Sequence, residues 1–323
     1  MRVLITGGFG YLGGRFAQFL VSKTGDEILL GSRQQTESPQ WLPKAKVVQT
    51  QWNSLAGLEQ ICSNVDAVVH MAGMNAQDCA TDPVAALELN AVATARLLQA
   101  AVRQGVKRFI NLSTAHVYDG SPLTAAITEE TYPASLHPYA ASNLAGEDVV
   151  RAANQRGDIK GIVMRLSNAY GMPAHKDVNC WMLLVNDLCR QAVTTKRMVL
   201  KSSGLQRRNF VPLHDVCRAI DHLLHLPVQA LVMDVFNVGG EWSPPVWEMA
   251  HLIQERCNVV LGFKPELTRI PPQTGKTVTE LNYRFDALRQ TGFQLNTNKV
   301  EEIDRLLNFC KASFFVYPEK DML

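Results

Sequence analysis

Short apolar runs recur along the first half of the chain, separated by segments with helical periodicity. Each run is bounded by polar residues or glycine, which is typical of strands buried on both faces of a sheet. The runs lie at Val3–Thr6, Ile28–Leu30, Val47–Thr50, Val65–Met71, Arg108–Ser113 and Ile159–Leu166. Two long helices are predicted, from Pro83 to about Gln104 and from Pro138 to about Asn154. Regular alternation of strand and helix predicts an α/β fold with a doubly wound parallel sheet, a Rossmann fold.

A glycine loop joins the first predicted strand to the first predicted helix. Gly7, Gly10 and Gly13 are spaced three residues apart, directly after the apolar run that ends at Thr6. Glycine lets the backbone approach a pyrophosphate closely, and a helix N-terminus offers free N–H groups and a positive dipole end. The loop therefore predicts a dinucleotide site. Three further residues of the loop belong to it: Phe9, Tyr11 and Leu12.

The pattern of the sequence changes after Tyr170 and Gly171. Predicted strands become scarce, and proline pairs appear at positions 244–245 and 271–272. We expect a dinucleotide-binding domain at 1–170 and a smaller C-terminal substrate lobe at 171–323. A helix over Leu213–Leu226 and a strand over Val235–Val238 are apolar enough to return to the main sheet. Ligands are expected in the crevice at the carboxyl ends of the strands, closed by the lobe.

Composition excludes several classes of partner. The 323 residues carry a formal charge of +2, which favours neither nucleic acid nor an anionic membrane. No apolar run is long enough to span a bilayer, and a strand that starts at residue 3 leaves no room for a signal peptide. Seven scattered cysteines without a Cys-x-x-Cys pair are typical of reduced thiols. We therefore expect a cytoplasmic protein without a metal site.

Seven short motifs then occur in a fixed order, and together they resemble the extended short-chain dehydrogenase/reductase family, the NAD(P)-dependent sugar epimerases and dehydratases. The resemblance covers nearly the whole chain and implies a nicotinamide dinucleotide cofactor. The motifs are the glycine loop, Asp66–Gly73, Asn90 in Leu89–Thr94, Ser113–Tyr118, Arg165–Gly171, Arg208–Val216 and Phe236–Gly240.

The resemblance also implies a catalytic Tyr and, four residues later on the same helix face, a Lys. Tyr139 stands at the first position, but Asn143 occupies the second, and positions 109–159 contain no lysine. Losing a charge aimed at the reacting oxygen costs on the order of 3 kcal/mol. Three interpretations follow: other groups compensate, the pocket runs a different reaction, or the protein binds cofactor with little chemistry.

Other residues near the reacting atoms follow from the same motifs. The resemblance places Thr114 on the reacting oxygen and Asn90 near the site, with Ser113 beside the cofactor. His116 stands where the dehydratase branch has the last acid of a Thr-Asp-Glu triplet, and Ala115 replaces the other acid. The missing acids argue against a 4,6-dehydratase. His116 either exchanges a proton with the substrate near neutral pH or is a loop histidine bonded to backbone.

The second strand predicts the choice of dinucleotide. An NAD-preferring site carries an acid at the end of this strand, where Gly31 stands here. Ser32 and Arg33 supply donors suited to a 2′-phosphate, which favours NADP(H) over NAD(H). Gln51 takes the place of the family residue that contacts adenine. The family pattern adds three cofactor contacts after the fourth strand: Met71, Ala72 and Gly73.

Arg208 and Asn168 predict the substrate class. The resemblance places Arg208 on the diphosphate of a nucleotide sugar and Asn168 near the sugar. The leading interpretation is an NADP(H)-dependent reductase or epimerase of a nucleotide-diphosphate sugar, with Tyr139 as general acid/base. A reductase of a non-sugar carbonyl is a second enzyme interpretation. A cofactor-binding sensor or scaffold with a degraded site is the alternative from another class, and Asn143 supports it.

Two apolar stripes predict a homodimer. Leu87, Val92 and Leu97 on one long helix, with Leu144 and Val149 on the other, would pair across a two-fold axis, as the family does. The alternative is that both stripes only cover the sheet.

Overall fold

Seven parallel strands form the central sheet of the structure, which is a computed structural model. It describes residues 1–23, 25–120, 126–231, 233–273, 280–296 and 298–315. In those residues the strands are β1 (Arg2–Thr6), β2 (Glu27–Ser32), β3 (Lys46–Gln49), β4 (Ala67–His70), β5 (Arg108–Thr114), β6 (Lys160–Leu166), β7 (Asn168–Tyr170), β8 (Arg197–Leu200), β9 (Phe210–Pro212), β10 (Val235–Val238) and β11 (Glu266–Arg269).

Helices cover both faces of this sheet, and others build the smaller lobe. They are α1 (Tyr11–Lys23), α2 (Leu55–Cys62), α3 (Ala76–Thr81), α4 (Pro83–Leu87), α5 (Ala93–Arg103), α6 (Pro138–Gln155), α7 (Leu184–Thr195), α8 (Leu213–His225), α9 (Val246–Leu261), α10 (Asp286–Gln290) and α11 (Lys299–Phe314). Short 3₁₀ turns lie at Ala115–Tyr118 and Val228–Ala230.

The sheet has the strand order β10-β6-β5-β4-β1-β2-β3, with every pairing parallel. This order confirms the doubly wound α/β prediction. Its direction reverses between β1 and β4, and the carboxyl ends of these two strands open a crevice there. The glycine loop follows β1, and Met71 to Gly73 follow β4. The topology therefore puts both segments at one edge of the sheet.

Three hydrophobic clusters hold these layers together. One lies between the sheet and helices α1 and α8, and a second lies between the opposite face and helices α2, α5 and α6. The third joins α7, α9 and α11 in the smaller lobe. Strand β10 pairs in parallel with β6, so a segment of the second half of the chain completes the main sheet.

The helix predicted over 83–104 is not a uniform α-helix. A π-helical turn, Glu88–Val92, separates α4 from α5 and contains the buried Asn90. Asp82 caps α4 at its N-terminus by accepting from the backbone N–H of Ala85, which places Pro83 at the first helical position, where proline is favoured. A π turn inserts one extra residue per turn, so apolar spacing alone does not predict it.

The predicted apolar stripe on this helix is partly wrong. Leu97 is fully buried against the sheet in the core beneath α2 and α5, so it cannot face a partner. Leu87 and Val92 are 49% and 41% exposed, and Val84, which the stripe prediction omitted, is 68% exposed. The π turn changes the angular spacing along the helix, which moves Leu97 off the exposed face.

A buried ion pair ties α6 to the sheet. The guanidinium of Arg165 on β6 donates to the carboxylate of Glu147 on α6, with the shortest N–O distance 2.6 Å, and both side chains are almost fully buried. Arg165 also donates to the Tyr118 hydroxyl at 2.8 Å, which donates in turn to the Asn237 side chain at 2.8 Å. The Ser113 hydroxyl completes the network by donating to Glu147.

We expect Glu147→Ala to destabilise the protein by about 3–5 kcal/mol, because it leaves the Arg165 charge buried without its partner. Urea unfolding followed by circular dichroism measures the change. The control is Glu59→Ala, which removes a surface pair with the half-exposed Arg103 and should cost less than about 1 kcal/mol. Equal losses in the two variants would contradict the structural role of the buried pair.

Candidate active site

The glycine loop is pressed against the end of β4. Gly7 has φ +66°, and a Cβ there would lie 2.8 Å from the Met71 carbonyl oxygen. A Cβ on Gly13 would lie 2.2 Å from the Gly7 carbonyl oxygen, and the Gly10 N–H donates to that oxygen at 2.8 Å. Only glycine fits this turn, and the backbone at the start of α1 stays open to a phosphate. This cradle fits the pyrophosphate of a dinucleotide.

A chain of buried hydrogen bonds supports the floor beneath the loop. The His70 ring contacts the Thr6 hydroxyl through Nδ1 at 2.7 Å and the Thr94 hydroxyl through Nε2 at 2.9 Å. The Thr6 hydroxyl accepts from the N–H groups of Met71 and Ala72 at 3.2 and 3.3 Å. Burial lowers the pKa of His70 from 6.5 to about 4, so the ring is neutral in the native protein.

The side chains of the loop residues make contacts within the protein. The Tyr11 hydroxyl donates to the Gly171 carbonyl at 2.9 Å, and Phe9 packs edge-on against Trp41. The Phe9 carbonyl lies 3.2 Å from His175 Nε2, and the His175 ring stacks on Trp41. A cofactor would therefore meet the backbone of these positions rather than their side chains. Leu12 is partly buried against the core beneath α1.

The residue at the end of β2 that faces the glycine loop is not the one expected from the sequence. A Cβ on Gly8 would touch the Leu30 side chain, whereas one on Gly31 would touch Thr50 and Thr6 on the opposite face. Since side chains alternate along a strand, Ser32 shares the face of Leu30, which is turned towards the glycine loop. The residue that replaces the expected acid is therefore Ser32, not Gly31. Its hydroxyl accepts from the Gln34 N–H at 3.2 Å.

Arg33 and Gln51 lie on the surface near this strand end. Both are exposed, and Gln51 Nε2 donates to Gln49 Oε1 at 3.4 Å. No hydrogen bond joins the Arg33 guanidinium to any other described residue, while the Arg33 carbonyl accepts from Gln49 at 3.2 Å. The guanidinium is thus available to an anion.

Tyr139 and Thr114 meet at the carboxyl edge of the sheet. Tyr139 is the second residue of α6, after Pro138, and Thr114 ends β5. The Thr114 hydroxyl is near enough to the Tyr139 phenol to lower its pKa, and it accepts from the His116 N–H at 3.1 Å. Burial raises the pKa of Tyr139 above its usual value, and the Thr114 hydrogen bond only partly opposes this rise. Among the groups that shift this pKa, none is a cation.

Asn143 does not replace the charge of a lysine. Its side-chain nitrogen donates to the Tyr139 carbonyl at 2.7 Å, one helical turn back. The neighbouring Ser142 hydroxyl donates to the same carbonyl at 3.2 Å. The amide is therefore turned along its own helix, away from the role of a donor to a ribose.

Asn90 braces the site from below. Its side-chain oxygen accepts from the Met74 N–H at 2.8 Å, and its nitrogen donates to the Ser142 hydroxyl at 3.0 Å. A Cβ on Gly73 would lie 3.2 Å from that oxygen. Asn90 thus joins the segment after β4 to helix α6 and fixes the position of Tyr139 relative to the crevice.

His116 lies at the mouth of the crevice beside Tyr139. The two rings meet edge to face, with centroids 5.9 Å apart. His116 Nδ1 lies 2.7 Å from a carboxylate oxygen of Asp119, and both side chains are more than half exposed. The sequence motifs pointed to His116 but not to Asp119. A His and an Asp three residues apart was the available signal, and the 3₁₀ turn over Ala115–Tyr118 brings the two together.

The candidate substrate residues lie on the far side of the crevice. The Asn168 side chain donates to the Asn209 carbonyl at 3.0 Å, and the buried Asn209 donates to the Gly240 carbonyl at 2.7 Å. Arg208 is exposed and lies within electrostatic range of Asp119. Its neighbour Arg207 instead pairs with Glu280 at 2.9 Å. Only Arg208 of this basic pair is thus free of a carboxylate partner at salt-bridge distance among the described residues.

Two further expectations concern metals and membranes. The described residues contain no group of three or more His, Cys, Asp or Glu side chains that could hold a metal ion. All seven cysteines are buried and unpaired with one another. Among the helices described, none combines the length and the apolar character needed to cross a bilayer.

Comparison with known proteins agrees with this geometry. The model of the NAD dependent epimerase/dehydratase family matches residues 3–239. A putative UDP-glucose 4-epimerase from Methanocaldococcus jannaschii is 22% identical over 96% of this chain and 98% of its own length.

Two solved structures share the fold over almost the whole chain. The NAD-dependent NDP-hexosamine 5,6-dehydratase TunA superposes with a TM-score of 0.78 and 26% identity, over 96% of this chain and 98% of its own. MoeE5 in complex with UDP-glucose and NAD superposes with a TM-score of 0.77 and 24% identity, over 97% and 99%.

Acid should destabilise the protein through His70. The unfolded ring binds a proton below pH 6.5, while the native ring stays neutral down to about pH 4. The contribution of His70 to the free energy of unfolding is therefore fully present well above pH 6.5, and it is lost as the pH drops from 6.5 towards 4. Between about pH 7.5 and about pH 5.5 this ring should contribute a loss of about 1 kcal/mol.

Urea midpoints at the two pH values measure this effect. His70→Gln should flatten the difference, because glutamine does not titrate, and the surface variant His251→Gln is the control. A His70→Gln protein with the wild-type pH dependence would show that the buried ring does not govern it.

Proposed function

The chain belongs to the NAD-dependent epimerase/dehydratase family, and from that premise we propose that it transfers hydride on a nucleotide-diphosphate sugar, with Tyr139 as general acid/base. The observation that carries the proposal is that Tyr139, at the start of α6, and Thr114, at the end of β5, meet at the carboxyl edge of the sheet. The dinucleotide would be held by residues 1–170 and the sugar by the lobe formed from 171–323.

Each side chain at the site has a role in this reaction that follows from its position. Tyr139 gives or takes the proton of the sugar oxygen, and Thr114 hydrogen-bonds the same oxygen. Asn90 and Asn143 act on Tyr139 indirectly, through their contacts with the helix that carries it. When bound, a nicotinamide dinucleotide supplies the hydride donor or acceptor. A reductase releases product after one transfer, whereas an epimerase returns the hydride to the opposite face, and this site serves either.

The substrate class rests on Arg208 and on the relatives. An exposed guanidinium without a salt-bridge partner is suited to the two phosphates of a sugar nucleotide. Asn168 lies across the crevice, where its side-chain oxygen can meet the sugar. The similarity to a putative UDP-glucose 4-epimerase and to the NDP-hexosamine 5,6-dehydratase TunA supports the same class. Ala115 and His116 in place of an acid pair disfavour 4,6-dehydration.

For the cofactor we propose NADP(H) before NAD(H). Ser32 takes the position of the expected acid, so no carboxylate there repels a 2′-phosphate. The Arg33 guanidinium lies next to it on the surface. The solved structure of MoeE5 holds NAD, so NAD(H) is the competing cofactor in the test.

A second candidate function is dinucleotide binding with little turnover. The observation in its favour is that the Asn143 amide donates to its own helix and supplies no charge to Tyr139. In such a protein the cradle would bind cofactor normally, and the loss would be confined to the chemical step.

We also propose a homodimer built on helix α4 and the following π turn. Val84, Leu87 and Val92 are 68%, 49% and 41% exposed, and together they give this surface an apolar stripe. The partly buried Leu144 and Val149 lie on the neighbouring α6. A two-fold axis would pair these surfaces isologously.

Tyr139→Phe should lower kcat by at least about 100-fold, because it removes the proton donor at the reacting oxygen. Turnover is followed by NADPH and NADH absorbance with UDP- and dTDP-linked 4-keto sugars. Dinucleotide binding, measured by nicotinamide fluorescence, should stay unchanged and serves as the control. A fully active Tyr139→Phe protein would remove Tyr139 from the chemistry.

Asn143→Lys distinguishes the two candidate functions. Activity in the wild-type protein shows that the site works without a lysine. No activity in the wild type and a gain in Asn143→Lys favours the cofactor-binding candidate, since the lysine restores about 3 kcal/mol of charge stabilisation.

Cofactor preference has its own test. We expect NADPH to bind more tightly than NADH, and Ser32→Asp to reverse the order by about tenfold or more, because its carboxylate repels the 2′-phosphate and accepts from a 2′-hydroxyl. Fluorescence titration measures both affinities, and Ser38→Asp, on the same exposed segment, is the control. Tighter NADH binding in the wild type would contradict the proposed preference.

A further inference from the structure

The site has a proton-transfer group but lacks the cation that usually assists it. Desolvation raises the pKa of Tyr139, and the Asn143 amide donates to a backbone carbonyl instead of acting near the phenol. With its pKa raised, Tyr139 remains a protonated phenol, so it can accept the proton of a substrate hydroxyl only if its own proton passes to another group. His116 is the titratable side chain whose ring touches the Tyr139 ring, at 5.9 Å between centroids.

The contacts of His116 fix which nitrogen is free. Nδ1 lies 2.7 Å from Oδ2 of Asp119, and a carboxylate only accepts, so Nδ1 carries the proton. Nε2 is then the unprotonated nitrogen of the neutral ring. The His116 N–H donates to the Thr114 hydroxyl at 3.1 Å, so the same short turn holds both His116 and the partner of Tyr139.

Three titratable or charged side chains surround His116. Asp119 lies on the same turn, Tyr139 faces the ring from α6, and Arg208 acts on Asp119 from the segment before β9. The carboxylate stabilises an imidazolium formed during reaction, as an acid behind a catalytic histidine does. Because the His116 side chain is 51% exposed, a proton that reaches it can leave to solvent.

We propose that Asp119 is a positioning residue that holds His116 with Nε2 free, and that His116 is the proton acceptor paired with Tyr139. The inference rests on the proposed function. In the oxidation of a sugar alcohol, the hydroxyl proton passes to the Tyr139 oxygen as the Tyr139 proton passes through one water to Nε2, and the O–H bond breaks as the carbonyl forms. A nicotinamide dinucleotide held by the glycine loop would be the oxidant and would accept the hydride from the same carbon. Reduction runs the same transfers backwards.

The first test measures the ring directly and needs no turnover. Two-bond ¹H–¹⁵N correlation spectra of ¹⁵N-histidine-labelled protein report the tautomer, with His116→Gln identifying the signals. The Nδ1–H form is expected in the wild type and in Asp119→Asn, whose amide oxygen still accepts. Asp119→Ala should move the ring towards the Nε2–H form. A wild-type ring in the Nε2–H form, or one unchanged by Asp119→Ala, overturns the positioning role.

The second test separates the chemical step from binding. With the substrates that the wild type turns over, Asp119→Asn should lower kcat by about 3–10-fold and Asp119→Ala by about 10–100-fold, with KM within about twofold. The pH profile of kcat is recorded for each variant, because a purely structural role of Asp119 would leave it unchanged. The control is Asp148→Asn, an equally exposed acid on α6.

The outcomes separate this inference from the proposed function. An active wild type, an inactive Tyr139→Phe and Asp119 variants with wild-type kcat and pH profile would overturn the role of Asp119 and leave the proposed function standing. A wild type without turnover on any nucleotide sugar would overturn the proposed function and the proton transfer together, while the tautomer spectra still decide whether Asp119 orients His116.

Discussion

The buried ion pair between Glu147 and Arg165 is the interaction on which the rest of the site depends. It joins the middle of α6 to β6, and Ser113 extends it to β5. Since Thr114 follows Ser113 and Tyr139 lies two turns before Glu147, the pair sets the distance between the two groups that would meet the substrate oxygen. Burying two charges is costly unless both are satisfied, and here each has further hydrogen-bond partners. The pair thus offsets the cost of burying its two charges and fixes the position of α6 against the sheet.

A second constraint places the cofactor cradle at the same edge. Gly7 and Gly13 allow the turn after β1 to touch the backbone after β4, where the strand order reverses. His70 supports this contact by remaining neutral between two threonine hydroxyls. The two constraints act on different strands yet converge on one crevice, because the carboxyl ends of all parallel strands lie on the same side of the sheet.

Against this well-formed frame, the replacement of lysine by Asn143 is a local change in charge rather than a sign of a collapsed site. The backbone of α6, the Thr114 hydroxyl near the Tyr139 phenol and the hydrogen bonds of Asn90 are all in place. The missing element is a cation near the phenol. A histidine held by an acid, on the turn that also carries Thr114, stands close to Tyr139. Our two proposals therefore concern one question, which is how the phenol loses and regains its proton.

The sequence by itself determined the alternation of strands and helices and the glycine loop after β1, and its resemblance to a known family named Tyr139 and Thr114 as candidate site residues. These depend on local patterns: burial on both faces of a strand, a turn that only glycine can adopt, and motifs in a fixed order. The tertiary structure alone decided the π turn around Asn90, the burial of Leu97 and the register that turns Ser32 rather than Gly31 towards the loop. It also decided the partnership of Glu147 with Arg165, because these residues are distant in sequence and meet only when α6 packs on the sheet. Local spacing carries no information about which distant side chain fills a buried position.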